Sequence, residues 1–262
     1  MMLEEGSVLD VLTLEAIDRD LYRAGYVKEE PYALYGGQVA AQAVLAAGLT
    51  VAPDRLPHSM HGYFLRRGDA ARPTVFRVDR DRDGRSFSAR RVVALQDGEV
   101  IFNMSASFQV QEAGPDVPSG TTQPVTTSPD DAEAFSLGRL VSFESRTPEQ
   151  PWPGSIWPTR FWSRCTETVP DDQLLHACLL TYLSDSSSGL APLADDSGRP
   201  GSSLDHALWY HRPFRSDQWL LADVVPHTAS GGRGFYSGSF WQDGVLVATV
   251  TQEALFRAPA RR

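Results

Sequence analysis

Lysine is almost missing from this chain of 262 residues: Lys28 is the only one, and the other basic residues are arginines. Basic charge is scarce as well. Lys and Arg number 24 against 33 Asp and Glu, a net charge of −9. A nucleic-acid binder shows a basic excess or a basic stripe, so that class is excluded. Cysteine is limited to Cys165 and Cys178, too few for a disulfide scaffold and not spaced as zinc ligands. No run of about 18 apolar residues occurs, so no transmembrane helix is expected. The opening Met1-Met2-Leu3-Glu4-Glu5 is acidic and has no apolar core of a signal peptide. There is no phosphate-binding Walker loop, no Gly-x-Gly-x-x-Gly before a helix and no Gly-x-Ser-x-Gly elbow. What remains is an ordinary globular composition, 42% hydrophobic and 22% charged. It is expected to belong to a soluble protein of a reducing, cytoplasmic compartment.

One stretch breaks the composition. From 111 to about 154 the chain carries Pro115, Pro118, Pro124, Pro129, Pro148, Pro151 and Pro153 among many Ser and Thr. It reads as a connection that resists helix and sheet, and it divides the chain into units 1–112 and 154–262 around a link of 113–153. The two units resemble each other. His58, Gly84-Arg85 and Gln96-Asp97-Gly98 have counterparts in His206, Gly232-Arg233 and Gln242-Asp243-Gly244. Their offsets are 206 − 58 = 148, 232 − 84 = 148 and 242 − 96 = 146. Asp-Gly between alternating apolar runs predicts a hairpin in each half.

Each half has one helix candidate. Residues 36–49 are rich in Ala and Gly, suited to tight burial on a sheet. Residues 173–183 follow the acidic pair Asp171-Asp172 and are apolar nearly all round. Alternation predicts strands at 58–65, 74–80, 86–95 and 100–110, then at 204–210, 218–225, 235–241 and 245–256. One buried helix and several antiparallel strands, twice over, is an α+β architecture.

Polar residues interrupt the apolar pattern in the second half. Gln252 lies on the face of Leu246, Ala248, Val250 and Ala254, and its counterpart at an offset of 146 is Ala106. The fold therefore does not require an amide there. A buried amide without partners costs roughly 1–3 kcal/mol. Its presence points to function or to a structural tie. Asp185 extends the helix stripe of Leu174, Cys178 and Thr181, which makes it a partly desolvated carboxylate suited to general-base work. The bland alternative is a helix-end residue capping the Ser186-Ser187-Ser188-Gly189 loop. Ser203 and Asp205 open a strand and share a face, which turns His206 the other way and argues against a nucleophilic-serine triad. Gly36-Gly37 offers either free backbone N–H groups to a ligand or close helix packing. Arg66-Arg67 and Arg90-Arg91 read as solvated pairs, and His58 and His61 lack companions for a metal site.

Several of these motifs, taken together, resemble the acyl-CoA thioesterase II family. They are Gly36-Gly37-Gln38-Val39, His58-Ser59-Met60-His61-Gly62-Tyr63-Phe64-Leu65-Arg66-Arg67-Gly68-Asp69 and Asp83-Gly84-Arg85-Ser86-Phe87-Ser88-Ala89-Arg90-Arg91-Val92. In the second half they are Asp205-His206-Ala207-Leu208-Trp209-Tyr210-His211-Arg212-Pro213-Phe214 and Gln242-Asp243-Gly244-Val245-Leu246-Val247-Ala248. The likeness runs from about residue 9 to residue 256 and lapses in the proline-rich connection. It implies a double hotdog, two helix-plus-antiparallel-sheet repeats fused in one chain. It also implies hydrolysis of fatty acyl-CoA thioesters by a water that an Asp, a Thr and a Gln hold. By position these fall on Asp185, Ser203 and Gln252. Ser203 stands where the family has Thr, and the segment from Asp185 to Asp205 is shorter than is usual. The resemblance calls for no cofactor, no metal and no covalent intermediate. Its partners are the acyl-CoA substrate and, through exposed sheet, further copies of the chain as a homo-oligomer. A non-catalytic acyl-CoA-binding protein is the alternative. A hotdog hydratase would need an Asp/His pair at the site, for which the sequence offers no suitable histidine.

Overall fold

The computed structural model of the protein describes residues 6–25, 33–117, 123–124, 127–186 and 188–258. The opening residues 1–5, Lys28, Pro118 and Ser187 lie outside them. A short helix α1 (Val8–Val11) precedes the hairpin β1 (Leu14–Asp18) and β2 (Leu21–Ala24). Helix α2 (Gly36–Gly48) follows, then β3 (Arg55–Phe64), β4 (Val75–Asp83), β5 (Phe87–Gln96) and β6 (Glu99–Val110). The connection contains β7 (Glu133–Phe135) and β8 (Phe143–Thr147) and leads to β9 (Arg160–Cys165) and helix α3 (Gln173–Ser184). After a 3-10 turn at Ser188–Leu193 come β10 (Arg199–Ser203), β11 (Asp205–Tyr210), β12 (Leu220–Ser230), β13 (Arg233–Gln242) and β14 (Val245–Arg257).

The strands form one sheet in the order β1-β2-β4-β5-β6-β3-β11-β14-β13-β12-β9-β8-β7, with β10 paired to β14. The halves meet where β3 pairs antiparallel with β11, His61 opposite Ala207. Both long helices lie against one face. Val39, Ala43, Val44 and Ala47 of α2 share a core with Cys178, Leu179, Leu180 and Leu183 of α3 and with Phe76, Phe108, Leu208 and Val250 from the strands. The helices run antiparallel at close range. A Cβ at Gly37 would come 2.5 Å from the Tyr182 carbonyl, and one at Gly48 2.5 Å from Leu174. Small residues on α2 are thus what lets α3 approach, which bears out the reading of 36–49 as a helix for tight burial. This is the α+β double hotdog.

The repeat is stricter than its sequence landmarks indicate. Arg90 pairs with Ala106 across β5 and β6, and Tyr236 pairs with Gln252 across β13 and β14, each 146 residues on. The bulge at Arg80/Arg82 recurs at Pro226/Thr228, again after 146 residues. So do the Asp-Gly turns, with φ of 49° and 79° at Asp97 and Gly98 and 51° and 80° at Asp243 and Gly244. In each turn both central residues lie in the left-handed region, as a two-residue hairpin of this hand requires. Gln96 accepts from Asp69 N at 2.8 Å, and Gln242 accepts from Arg215 N at 2.9 Å, one amide clamp used twice. The offset of 148 is therefore corrected. His206 corresponds to Met60, not His58, and Gly232-Arg233 does not correspond to Gly84-Arg85. The turns themselves are equivalent, Asp83 pairing with Ser88 as Ala229 pairs with Gly234, and the Gly-Arg pair merely falls two residues later in the second turn.

Two other expectations change. The proline-rich connection holds two strands, because β7 and β8 fall between Pro129 and Pro148, where no proline interrupts them. Arg90 is not a solvated residue: it is 1% exposed and donates to Thr50 Oγ1 at 2.7 Å and Asp83 Oδ1 at 2.7 Å.

Candidate active site

The end of α3, the bulged junction of β10 with β11, and the middle of β14 converge against the start of α2. Asp185 is the C-cap of α3 and 4% exposed. Its Oδ1 accepts from Ser203 Oγ at 2.8 Å and from Gln252 Nε2 at 2.8 Å. Gln252 is fully buried, and its Nε2 also donates to Ser203 Oγ at 2.5 Å. The three residues singled out in the sequence thus form one mutually bonded set. Gln252 is tied to Asp185 and Ser203, and Asp185 Oδ1 faces the sheet.

His206 joins them, contrary to the alternation argument. From Ser203 to Ala207 the ladder advances four residues, while its partner strand advances three, from Ala254 to Thr251. One extra residue is bulged out, which inverts the alternation. The same bulge lies at Pro57/Ser59 in the first half. Ser203 and His206 therefore both reach the buried amide. His206 Nδ1 lies 2.5 Å from Gln252 Oε1, and its Nε2 lies 2.8 Å from Ser184 Oγ. The ring is fully buried, and burial pushes its proton affinity below the ordinary value, which leaves it neutral near pH 7. The expectation of no suitable histidine is thus corrected as to place: a histidine sits at the site. Both its nitrogens are taken up by Gln252 and Ser184.

The start of α2 closes the set. Its N-cap, Tyr35, provides no side-chain cap. A Cβ at Gly36 would collide with Asp185 Oδ2 and come 2.9 Å from the Phe64 ring. Only glycine admits the carboxylate there, so the close-packing reading of Gly36-Gly37 holds. Tyr236, opposite Gln252, is 2% exposed, and its hydroxyl has no hydrogen-bond partner among the described residues. Burial, reinforced by the Asp185 and Asp205 charges, holds this phenol well above its ordinary value, so it keeps its proton. Sequence reasoning missed His206, Ser184 and Tyr236. Apart from the Asp-His pair at 205–206, they look like ordinary core positions.

The equivalent place in the first half holds none of these groups. Ala106 stands for Gln252, Pro57 for Ser203, Met60 for His206 and Arg90 for Tyr236. Among the described residues no group of three His, Cys, Asp or Glu is gathered as a metal site, and no helix is long and apolar enough to cross a membrane. His58 is bonded to Ser107, and His61 packs edge-on against Trp209.

Comparison with known proteins matches the chain, in both its halves, to the acyl-CoA thioesterases. A family model described as the acyl-CoA thioesterase N-terminal domain matches residues 29–109, and one described as its C-terminal domain matches residues 114–256. Human acyl-coenzyme A thioesterase 8 is 35% identical over 283 residues, covering 95% of this chain and 88% of its own. The crystal structure of an acyl-CoA thioesterase II, TesB2, from Mycobacterium marinum superposes with a TM-score of 0.82 at 38% identity, covering 97% of this chain and 98% of that one. A hot dog fold protein from Alicyclobacillus acidocaldarius shares the fold at 22% identity, with a TM-score of 0.78 over 96% and 98% of the two chains.

Proposed function

We propose that this chain, which belongs to the acyl-CoA thioesterase II family, hydrolyses fatty acyl-CoA to the free acid and CoA with a water held by Asp185, Ser203 and Gln252. The observation that carries the reading is the convergence of two donors, Ser203 Oγ and Gln252 Nε2, on one oxygen of a buried carboxylate. These bonds fix the carboxylate, and general-base catalysis demands a fixed acceptor within reach of the proton it removes. Water bound at Asp185 gives up a proton to the carboxylate as its oxygen attacks the thioester carbonyl carbon. Charge then develops on the carbonyl oxygen. Backbone N–H groups at the uncapped start of α2 are the donors available to it, and one such donor is typically worth roughly 2.7–4 kcal/mol. Collapse breaks the C–S bond. The proton held by Asp185 goes to the departing sulfur, so the products are acid and thiol. Ser203 in place of Thr keeps the hydroxyl that donates to Asp185 and gives up a methyl that restricts its rotamer.

A hydratase reading lacks support, because His206, the histidine bonded into the set among the described residues, has both nitrogens engaged. The test is release of free thiol from acyl-CoAs of increasing chain length, with wild type beside Asp185→Asn. Turnover that collapses in the variant is the expected result. An Asp185→Asn protein with wild-type turnover, or a wild type that binds but turns over no chain, would overturn the reading.

A further inference from the structure

The Gln252 amide has two orientations of nearly equal shape, and only one of them suits Asp185. A carboxylate accepts only, so the NH₂ end must face it. Both Nε2 protons are then spent, one on Asp185 Oδ1 and one on Ser203 Oγ. Oε1 is left facing His206 Nδ1 at 2.5 Å and needs a donor there. A neutral imidazole donates from one nitrogen only. The other, Nε2, lies 2.8 Å from Ser184 Oγ. The Ser184 hydroxyl also lies 2.9 Å from the Thr181 carbonyl, so its single proton has two acceptors in reach. With Nδ1 protonated, the Ser184 proton goes to the bare Nε2. Every proton of the set is then assigned. Ser184 donates to His206, His206 to Gln252, Gln252 to Asp185 and Ser203, and Ser203 to Asp185. A flipped amide would set Oε1 against the carboxylate oxygen and an N–H against an N–H.

An independent observation comes from the other half of the molecule. Where the amide is replaced by Ala106, the imidazole is replaced by Met60, which is just as buried. The fold itself therefore accepts an apolar side chain at that position.

We propose that His206 is a positioning residue that locks the Gln252 amide toward Asp185 and Ser203, with Ser184 Oγ holding the opposite nitrogen of the ring. The inference rests on the reading of Asp185, Ser203 and Gln252 as the hydrolytic set. In the test, His206 is replaced by Met, the residue its counterpart carries, and by Asn, whose side-chain N–H₂ falls where Nδ1–H was. His206→Met is expected to lower kcat about 10- to 100-fold, the scale of loss when a reacting group is held out of place. KM should stay within about threefold. His206→Asn should recover most of the loss. The double variant His206→Met/Gln252→Ala should be no slower than Gln252→Ala alone, as expected when one residue acts through the other. If His206→Met does not fold, Ser184→Ala reads the same lock by removing the ring's second hydrogen bond, with an expected loss in kcat of about 3- to 10-fold. Wild-type kcat in His206→Met, or in Ser184→Ala when it must stand in, overturns the inference when Asp185→Asn is inactive. So does a double variant that adds the two losses. An active Asp185→Asn instead overturns the site reading beneath it.

Discussion

Tyr236 stands where Arg90 stands in the first half, 146 residues earlier, and each lies across the ladder from the residue that distinguishes the halves. Gln252 is opposite Tyr236, and Ala106 is opposite Arg90. The Arg90 guanidinium has its own set of acceptors. It is bonded to the Thr50 hydroxyl and carbonyl, to the Arg82 and Ala89 carbonyls and to Asp83. Burial of a guanidinium is tolerated because its five donors find acceptors. One half of a repeated scaffold thus holds a bonded polar set at this place. The other holds a structural cation there.

Arg90→Met should therefore be a stability variant. It strands the Thr50 hydroxyl and carbonyl in a buried place, while Arg82 and Asp83 are exposed and can rehydrate. The expected loss is about 2–4 kcal/mol, from unsatisfied acceptors and imperfect filling of the space. Turnover per folded molecule should not change. Urea unfolding midpoints and kcat measured on the same preparation separate the two. A fall in kcat at unchanged stability would mean that the halves are coupled through more than shared packing.

Gly36→Ala should behave in the opposite way. Alanine is the better helix former, and glycine's extra backbone freedom costs roughly 0.5–1 kcal/mol in a helix. The new Cβ would nevertheless collide with Asp185 Oδ2 and crowd Phe64 at 2.9 Å. We expect kcat/KM to drop by about 10- to 100-fold from misplacement of the carboxylate, with a melting temperature close to wild type. Undiminished kcat/KM would show that Asp185 need not sit against the start of α2.

Stability should weaken on mild acidification, and histidines should be the cause. Burial lowers the proton affinity of His206 and of His176 below the ordinary 6.5. Asp185 and Asp205 oppose this at His206 without outweighing it. Below 6.5 the unfolded chain takes up protons that the folded chain refuses, so stability is full above that value and falls as pH drops beneath it. Each histidine contributes a slope of at most about 1.4 kcal/mol per pH unit. The carboxylates lowered by their hydrogen bonds to Arg80, Ser88 and Arg215, namely Asp20, Asp83 and Asp217, lose their contribution only as pH falls below 3.8, outside this window. Urea midpoints at about pH 7.5 and about pH 5.5 test the slope. His206→Met should flatten it, and an equal slope in that variant would assign the effect elsewhere.

Much of this molecule can be read from its chain, for reasons that also mark where reading stops. The repeat is visible because Asp97-Gly98 and Asp243-Gly244 must adopt left-handed backbone, which few residue pairs tolerate. It is misaligned at the β4–β5 turn because Gly-Arg suits any tight turn, and it falls at 84–85 in one turn and two places later, at 232–233, in its equivalent. Asp185 and Gln252 stand out because they are polar on surfaces that otherwise bury apolar groups, and Ser203 only through the family resemblance. His206 is lost to a single bulged residue, since alternation carries no signal of where a ladder slips. Ser184 and Tyr236 are lost because one serine at a helix end and one tyrosine in a strand are common in cores. Their meaning lies in what they face.

The final prediction concerns the asymmetry itself. If Gln252 is active because of its partners and not its position, then Ala106→Gln should not create a second site. The amide would be buried beside Met60, Pro57 and Arg90, none of which offers it what His206, Ser203 and Asp185 offer Gln252. Arg90 is a donor, but its bonds are committed to Thr50, Arg82, Ala89 and Asp83. The amide would lack partners at one end or both, at a cost of about 1–3 kcal/mol. Thiol release should stay at the wild-type rate per folded molecule, while the urea midpoint falls. Adding Met60→His supplies the missing donor and should recover part of that stability, again without added turnover, because no carboxylate stands at the end of α2, where Leu49 is the C-cap. A gain in turnover from either change would show that the amide alone can organise the chemistry, and that Asp185 is not its necessary centre.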